Sequence, residues 1–231
     1  MSFLDFFTCC DYNSNVKIHD SDQDINQKNV NSTPVPIFDS AKLSDDRVSI
    51  IPTKNDNLPT LVLDLDSTLV FSSYTPIENY NFKVNIQSND TVTTIYVKER
   101  PYLRNFIEQC AEKYEMIIFT ASKKVYASQV IERIDDKKCI KHILYRESCT
   151  VIDSNYIKDI SLLGRDLNRT IIVDDSRLAF SLQPHNGILI KPYFGEDGDI
   201  ALKPLCNKLI EIADSENIIE CLKDKNKRFE L

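Results

Sequence analysis

Leu61 to Leu69, LVLDLDSTL, is an apolar run that ends in two aspartates. A short stretch this apolar forms a strand buried on both faces, as inside a parallel sheet, and the aspartates fall where such a strand leaves the core. Side chains at i and i+2 of an extended segment point the same way. Asp64 and Asp66 can therefore face one crevice at the carboxyl edge of a sheet, the usual ligand position in open α/β folds. Two carboxylates this close repel unless a cation or a shared proton relieves them. Magnesium, Mg2+, takes oxygen ligands, keeps several waters, and would also hold a phosphate. The pair fits phosphoryl transfer by covalent catalysis. Asp64 would attack phosphorus, while Asp66, protonated at that moment, would give its proton to the leaving oxygen and later activate water. The competing account is that two aspartates cap a buried strand or start a turn.

The same pattern occurs twice more. Tyr114 to Phe119 reads as a buried strand ending at Thr120-Ala121-Ser122, and Thr170 to Val173 as another ending at Asp174-Asp175-Ser176. Between them, Asn81 to Val97 holds two alternating runs around Ser88-Asn89-Asp90, a β-hairpin signal. Pro101 sits at a helix start, and Leu103, Phe106, Ile107 and Cys110 form the i, i+3, i+4, i+7 stripe of an amphipathic helix. A second helix buries Ala127, Val130, Ile131 and Ile134. From His142 to Ile157, strand-like pieces around Arg146-Glu147-Ser148 and Tyr156-Ile157-Lys158 suggest a small antiparallel insertion. Gly187 to Ile190 is one more short strand, and Asp199 caps a helix carrying Leu202, Leu205, Leu209 and Ile212. Strands alternating with helices predict an α/β fold: a doubly wound, mainly parallel sheet with right-handed crossovers, a hairpin flap and a small antiparallel insertion. The three tips should converge on one edge.

At 231 residues the chain can bury one substantial core. The pattern divides it into a mostly disordered tail (1–57), rich in Asn, Asp, Ser and Lys, a catalytic domain (58–215), and a helical, basic C-terminal tail (216–231) containing KDKNKR. The net charge of −7 offers no footprint for a polyanion, so direct nucleic-acid binding is disfavoured. Seven cysteines without a CxxC read as reduced thiols of an intracellular protein, cytoplasmic or nuclear. No apolar run has the length of a membrane span, and no secretory signal is visible. Adjacent Cys9 and Cys10, behind the apolar start MSFLDFF, offer two acylation sites. Two acyl chains are what stable peripheral attachment to a membrane such as the plasma membrane needs. The bland alternative is a frayed terminus with idle thiols.

Asp64, Asp66 and Thr68, then Thr120, Lys158, Asp174 and Asp175 follow one another as in the haloacid dehalogenase superfamily. FTASKKVYA, YRESC, YIKDISLLGRDL, IIVDDS, QPHNGILI and KPYFG resemble the catalytic domain of the small phosphatases that act on the RNA polymerase II C-terminal domain, also termed the FCP1-homology domain. The resemblance runs from about Leu58 to Ala213. It implies a magnesium-dependent protein phosphatase acting on phosphoserine or phosphothreonine. Asp64 would be nucleophile and metal ligand, and Asp66 acid/base with its backbone carbonyl on the metal. Asp175 would be the third protein ligand. Thr120 would donate to the phosphate, Lys158 would neutralise it and be held by Asp174, and Arg146 would lie near the substrate together with Thr68 and Ser122. Tyr74, Lys123 and Tyr126 match positions of an apolar pocket that reads a proline in polymerase-specific relatives, with Lys123 where a leucine is typical. Ser67 stands for a common Glu, Asp175 for a common Asn and Arg177 for a frequent proline. Two other readings remain: a small-molecule phosphatase, and a non-catalytic docking module like the mitochondrial import relative. The short span between Thr68 and Thr120 leaves room for a flap but hardly for a large cap, which favours a protein substrate.

Overall fold

The computed structural model describes residues 49–54, 56–88 and 91–223. Cys9, Cys10, nearly all of the expected tail, the Asn89-Asp90 turn and the KDKNKR run after Lys223 lie outside the described residues. In chain order the elements are β1 (Thr60–Leu63), β2 (Val70–Ser73), β3 (Phe82–Ser88), β4 (Thr91–Glu99), α1 (Leu103–Ala111), β5 (Glu115–Phe119), α2 (Lys124–Ile134), β6 (Ile140–Leu144), β7 (Thr150–Ile152), β8 (Asn155–Ile157), β9 (Thr170–Asp174), β10 (Gly187–Leu189), α3 (Leu202–Ile212) and α4 (Ile218–Lys223).

The apolar runs pair side by side. β10, β9, β1, β5 and β6 form one sheet in that order, and every pairing is parallel. Strand alternation sends side chains to opposite faces. Leu61 and Leu63 enter a core shared with Leu103 and Phe106 of α1, Val130 and Ile131 of α2, and Leu205 and Leu209 of α3. Val62, Ile117 and Ile172 enter a second core against Ile160, Leu163 and Phe180. Burying each large aliphatic side chain contributes about 1.5–3 kcal/mol, which is why the two-faced apolar runs, and not polar neighbours, become the central strands. Ile160 and Leu163 come from a 3-10 turn, so on this side short turns do the covering. α1 buries Leu103, Phe106, Ile107 and Cys110, the stripe expected of it. Among the described residues no helix is long and apolar enough to cross a membrane.

Three local readings are corrected. The flap has three strands rather than two, because Val70–Ser73 pairs antiparallel with β4 beside the β3–β4 hairpin. Ile140–Leu144 is the edge strand of the main sheet; its mostly half-buried positions gave no apolar run to read. Arg146–Ser148 is a 3-10 turn, and the antiparallel insertion is the β7–β8 pair that follows it.

One buried cation ties these parts together. Arg100, 1 % exposed, forms a bidentate pair with Asp199 (2.8 and 2.9 Å). It also donates to the carbonyls of Thr68 and Lys191. Asp199 accepts in turn from the Ala201 N–H just before α3. The end of the flap, the start of α3 and the loop after β1 are thus held by a single guanidinium, whose planar fork suits such bidentate bonding.

Candidate active site

The parallel register decides which residues meet. Leu63 is level with Ile118 of β5 and with Val173 of β9. Asp64 and Asp174 are therefore neighbours at the carboxyl edge, and Thr120 emerges from the strand on the other side of β1. Backbone bonds from Asp64 N–H to the Val173 carbonyl (3.0 Å) and from Thr120 N–H to the Leu144 carbonyl (2.9 Å) carry the ladder to the tips. After Asp64 the chain turns sharply. Ser67 takes a left-handed backbone (φ 60°), its N–H donates to the Val70 carbonyl (2.8 Å), and its own carbonyl accepts from the Tyr193 N–H. The loop that delivers Asp64 and Asp66 is thereby fixed on both sides.

Asp64, Asp174 and Asp175 bring carboxylate oxygens within 4.8 Å of one another. Lys158, following β8, lies among them: its ammonium donates to Asp64 Oδ1 at 2.5 Å and to Asp174 Oδ2 at 2.6 Å. Lys158 is 2 % exposed, and its N–H is anchored on the Ala179 carbonyl at 2.7 Å. Burial alone would lower its pKa, but Asp174 and Asp64 outweigh that and raise it, so it stays cationic. Three acids against one base leave an excess of negative charge. Burial, reinforced by Asp64, lifts Asp174 to about 7 despite Lys158, and lifts Asp175 to about 6.

Asp66 is handled separately. Its Oδ2 accepts from Ser122 Oγ (2.6 Å) and its Oδ1 from the Tyr126 hydroxyl (2.7 Å), while Tyr126 also shares a hydrogen bond with Ser72 Oγ (2.6 Å). Burial raises Asp66 to about 6 against the opposing effect of these two hydroxyls, with Asp64 adding to the rise. Two carboxyls from one strand tip therefore occupy different surroundings. One sits among acids on an ammonium and the other is cradled by hydroxyls, so their environments differ although one strand tip delivers both.

Thr120 Oγ1 accepts from the Ser122 N–H at 3.0 Å, leaving its O–H to donate elsewhere. Arg146 packs at the same loop, its Nε on the Ala121 carbonyl (2.5 Å) and its guanidinium 5.1 Å from the Tyr156 ring centroid. Thr68 is fully buried, and its Oγ1 makes no hydrogen bond within the described residues. Tyr74 keeps 38 % of its surface exposed, and its phenol is pushed up by partial burial and by Asp66 nearby. Lys123 precedes α2 in an extended conformation, half-buried.

Two residues expected at the substrate are buried against Asp66 in this structure. Tyr126 has no exposed surface, because it sits on the apolar stripe of α2, and its hydroxyl donates to Asp66. Ser122, 3 % exposed, likewise spends its hydroxyl on Asp66. Ser72 was not expected here, since a serine in a short strand carries no chemical signature. Its position two residues after Val70, hence on the same strand face, was the available signal.

Residues 59–219 match the family model of the NLI interacting factor-like phosphatases. The chain belongs to this family. It is 41 % identical over 176 residues to a probable C-terminal domain small phosphatase of Dictyostelium discoideum, covering 75 % of this chain and 57 % of that one. It is 36 % identical over 162 residues to the human carboxy-terminal domain RNA polymerase II polypeptide A small phosphatase 2, covering 70 % and 60 %. The chain thus spans less than two thirds of these relatives. A solved fission yeast RNA polymerase II CTD phosphatase, Fcp1, bound to beryllium fluoride, shares the fold at a TM-score of 0.51 and 19 % identity over 72 % of this chain and 54 % of that one. At that identity the likeness is one of fold.

The acid cluster has the make-up of a metal site. Its side-chain donors are carboxylate oxygens, with neither thiolate nor imidazole among them, which is the donor chemistry of a hard divalent cation such as Mg2+; Asp174 is engaged by Lys158 and the Ser176 N–H, which leaves Asp64 and Asp175 to face the ion.

Proposed function

We propose that this chain is a magnesium-dependent phosphoprotein phosphatase that hydrolyses phosphoserine or phosphothreonine through an aspartyl-phosphate on Asp64. The observation that carries this reading is the division of labour between Asp64, on Lys158 and beside two further acids, and Asp66, held apart by two hydroxyls. Asp64 and Asp175, with the Asp66 backbone carbonyl, would hold Mg2+. When bound, the ion would neutralise phosphoryl charge near the nucleophile. Lys158 supplies the remaining positive charge, fixed in direction by Asp174. The Thr120 hydroxyl donates to a phosphoryl oxygen, and the buried hydroxyl of Thr68, with no hydrogen bond among the described residues, keeps donor capacity in the loop after β1. Asp66 protonates the leaving oxygen and then takes a proton from the water that attacks the aspartyl-phosphate. Such a site accelerates by positioning and charge compensation.

The reading of the substrate as a protein rests on the flap. A three-stranded sheet reaches the site through Ser72, and among the described residues no separate cap is inserted before β5. Tyr74 is exposed and Arg146 half-buried, which leaves surface on both for a peptide. The polymerase C-terminal domain is one substrate of this class, and Lys123 at the rim sets a polar group where an apolar pocket would be needed to select it. Phosphoserine peptides are expected to be turned over with kcat/KM at least about tenfold above sugar phosphates, the discrimination that one or two good contacts supply. The reverse preference identifies a small-molecule phosphatase, and hydrolysis of neither leaves a docking module.

Metal dependence has its own signature. The folded-state values of Asp66 and Asp175 (about 6) and Asp174 (about 7) lie above the ordinary 3.8. A raised carboxyl contributes stability below the unfolded value that is lost as pH rises, here between about 4 and 7. Of these groups Asp175 would be a ligand, and Mg2+ displaces its proton, so the effect of the ion must grow with pH. At a hundredfold excess over Kd, Mg2+ is expected to raise Tm by about 5–10 °C at pH 7.5, and by clearly less at pH 5.5. Thermal melts with Mg2+ or chelator at both pH values check this; an equal shift at both, or none, rejects it.

A further inference from the structure

The hydroxyl chain beside Asp66 has a direction. A phenol carries one hydrogen, and Tyr126 gives it to Asp66 Oδ1 at 2.7 Å. The 2.6 Å contact between Tyr126 and Ser72 must then be a donation from Ser72 Oγ to the phenol oxygen. Ser122 closes the other side on Oδ2. One lone pair of each Asp66 oxygen is thereby occupied, which leaves the remaining pairs for the proton that travels. Ser72 belongs to β2, where it is paired with Val97 of β4, so the chain starts in the flap and ends on the carboxyl. Tyr126 is fixed at its other end by complete burial on α2.

We propose that Ser72, Tyr126 and Ser122 are positioning residues that aim the Asp66 carboxyl at the leaving oxygen, so that the flap, through Ser72, sets the alignment of the acid. This rests on the reading of Asp66 as the acid/base group of a phosphatase. In the first half-reaction an Asp64 oxygen forms a bond to phosphorus and the phosphorus–serine oxygen bond breaks. Its electron pair stays on the serine oxygen, which takes the proton from Asp66. In the second, water oxygen bonds to phosphorus, its proton passes to Asp66, and the phosphorus–Asp64 bond breaks to return the carboxylate and release inorganic phosphate. Asp66 becomes anionic as it gives up its proton, and a hydrogen bond to a charged acceptor is about twice as strong as one to a neutral acceptor. The two hydroxyl bonds therefore tighten along the step they serve.

Leaving-group dependence separates this from a structural role. A serine alkoxide needs the proton as it departs, whereas p-nitrophenolate leaves with little help. In the full chain, Tyr126→Phe is expected to lower kcat/KM for a phosphoserine peptide by about ten- to a hundredfold, the loss typical of a hydrogen bond to a charged group. The loss on p-nitrophenyl phosphate should be at least about tenfold smaller. Ser72→Ala should show the same imbalance to a lesser degree, and Ser72→Thr, which restores a hydroxyl, should recover most of it. Because Tyr126 is buried, each variant's melting temperature is measured alongside, and the ratio between substrates is the deciding quantity. Equal losses on both substrates, no loss on either, or failure of Ser72→Thr to rescue overturns the proposal while leaving the phosphatase reading intact. A wild-type chain that hydrolyses neither substrate overturns both.

Discussion

Asparagine in place of Asp64 is expected to reduce turnover of phosphoserine peptide and of p-nitrophenyl phosphate alike, by about a thousand- to a millionfold, the range seen when a covalent nucleophile is removed. The amide has the same shape but is a poor nucleophile toward phosphorus, so no aspartyl-phosphate forms and no leaving-group advantage can compensate. The fold should survive. Lys158 keeps Asp174 at 2.6 Å, and the amide oxygen can still accept from it. Removing one charge also relieves Asp174 and Asp175, both of which Asp64 pushes upward. Initial rates beside a thermal melt provide the check. Activity within tenfold of wild type would exclude Asp64 as nucleophile, and a collapsed melt with lost activity would make the residue structural.

That prediction rests on residues legible before any coordinates. Asp64, Thr120 and Asp174 end runs apolar on both faces, and burial on both faces leaves a strand little choice but the centre of a parallel sheet. Once β9, β1 and β5 are adjacent, register alone brings the tips together. Lys158 was legible only through resemblance to a family, because a lone lysine after a short strand reads equally as a surface cation. What stayed hidden was side-chain direction. Tyr126 carries both a ring and a hydroxyl, so sequence allows it to line a pocket or to fill a core, and helix phase decides for the core. Ser72 and Arg100 act across long separations in the chain, on Tyr126 and Asp199, where spacing gives no guide. Edge strand β6 escaped because half-buried positions lack the apolar continuity that marks its neighbours.

Methionine at Lys158 is expected to damage stability and catalysis together, with low pH restoring only the first. The substitution keeps most of the volume but leaves Asp64 and Asp174, 6 % and 2 % exposed, facing each other with no cation between them. Breaking a buried ion pair from one side costs about 3–5 kcal/mol, which for a domain of this size lowers Tm by roughly 6–20 °C. The deficit should depend on pH. Asp174 already lies near 7 with Lys158 in place, and loss of the lysine moves it further up, so protonation restores the variant as pH falls. A carboxyl whose folded value exceeds its unfolded value stabilises below the latter and loses that contribution as pH rises through the former. The gap in Tm between variant and wild type should therefore narrow at pH 5 and widen at pH 8. Catalysis behaves differently, because no proton substitutes for a fixed ammonium on the phosphoryl group. Turnover should fall by about a hundred- to a thousandfold, the loss typical of a removed charge-stabilising donor, and should not return at the pH where the fold does. Parallel melts and rates from pH 5 to 8 measure both. Recovery of activity in step with stability would reduce Lys158 to a structural counter-ion, whereas a stable but inactive variant at pH 5 assigns it to the chemistry.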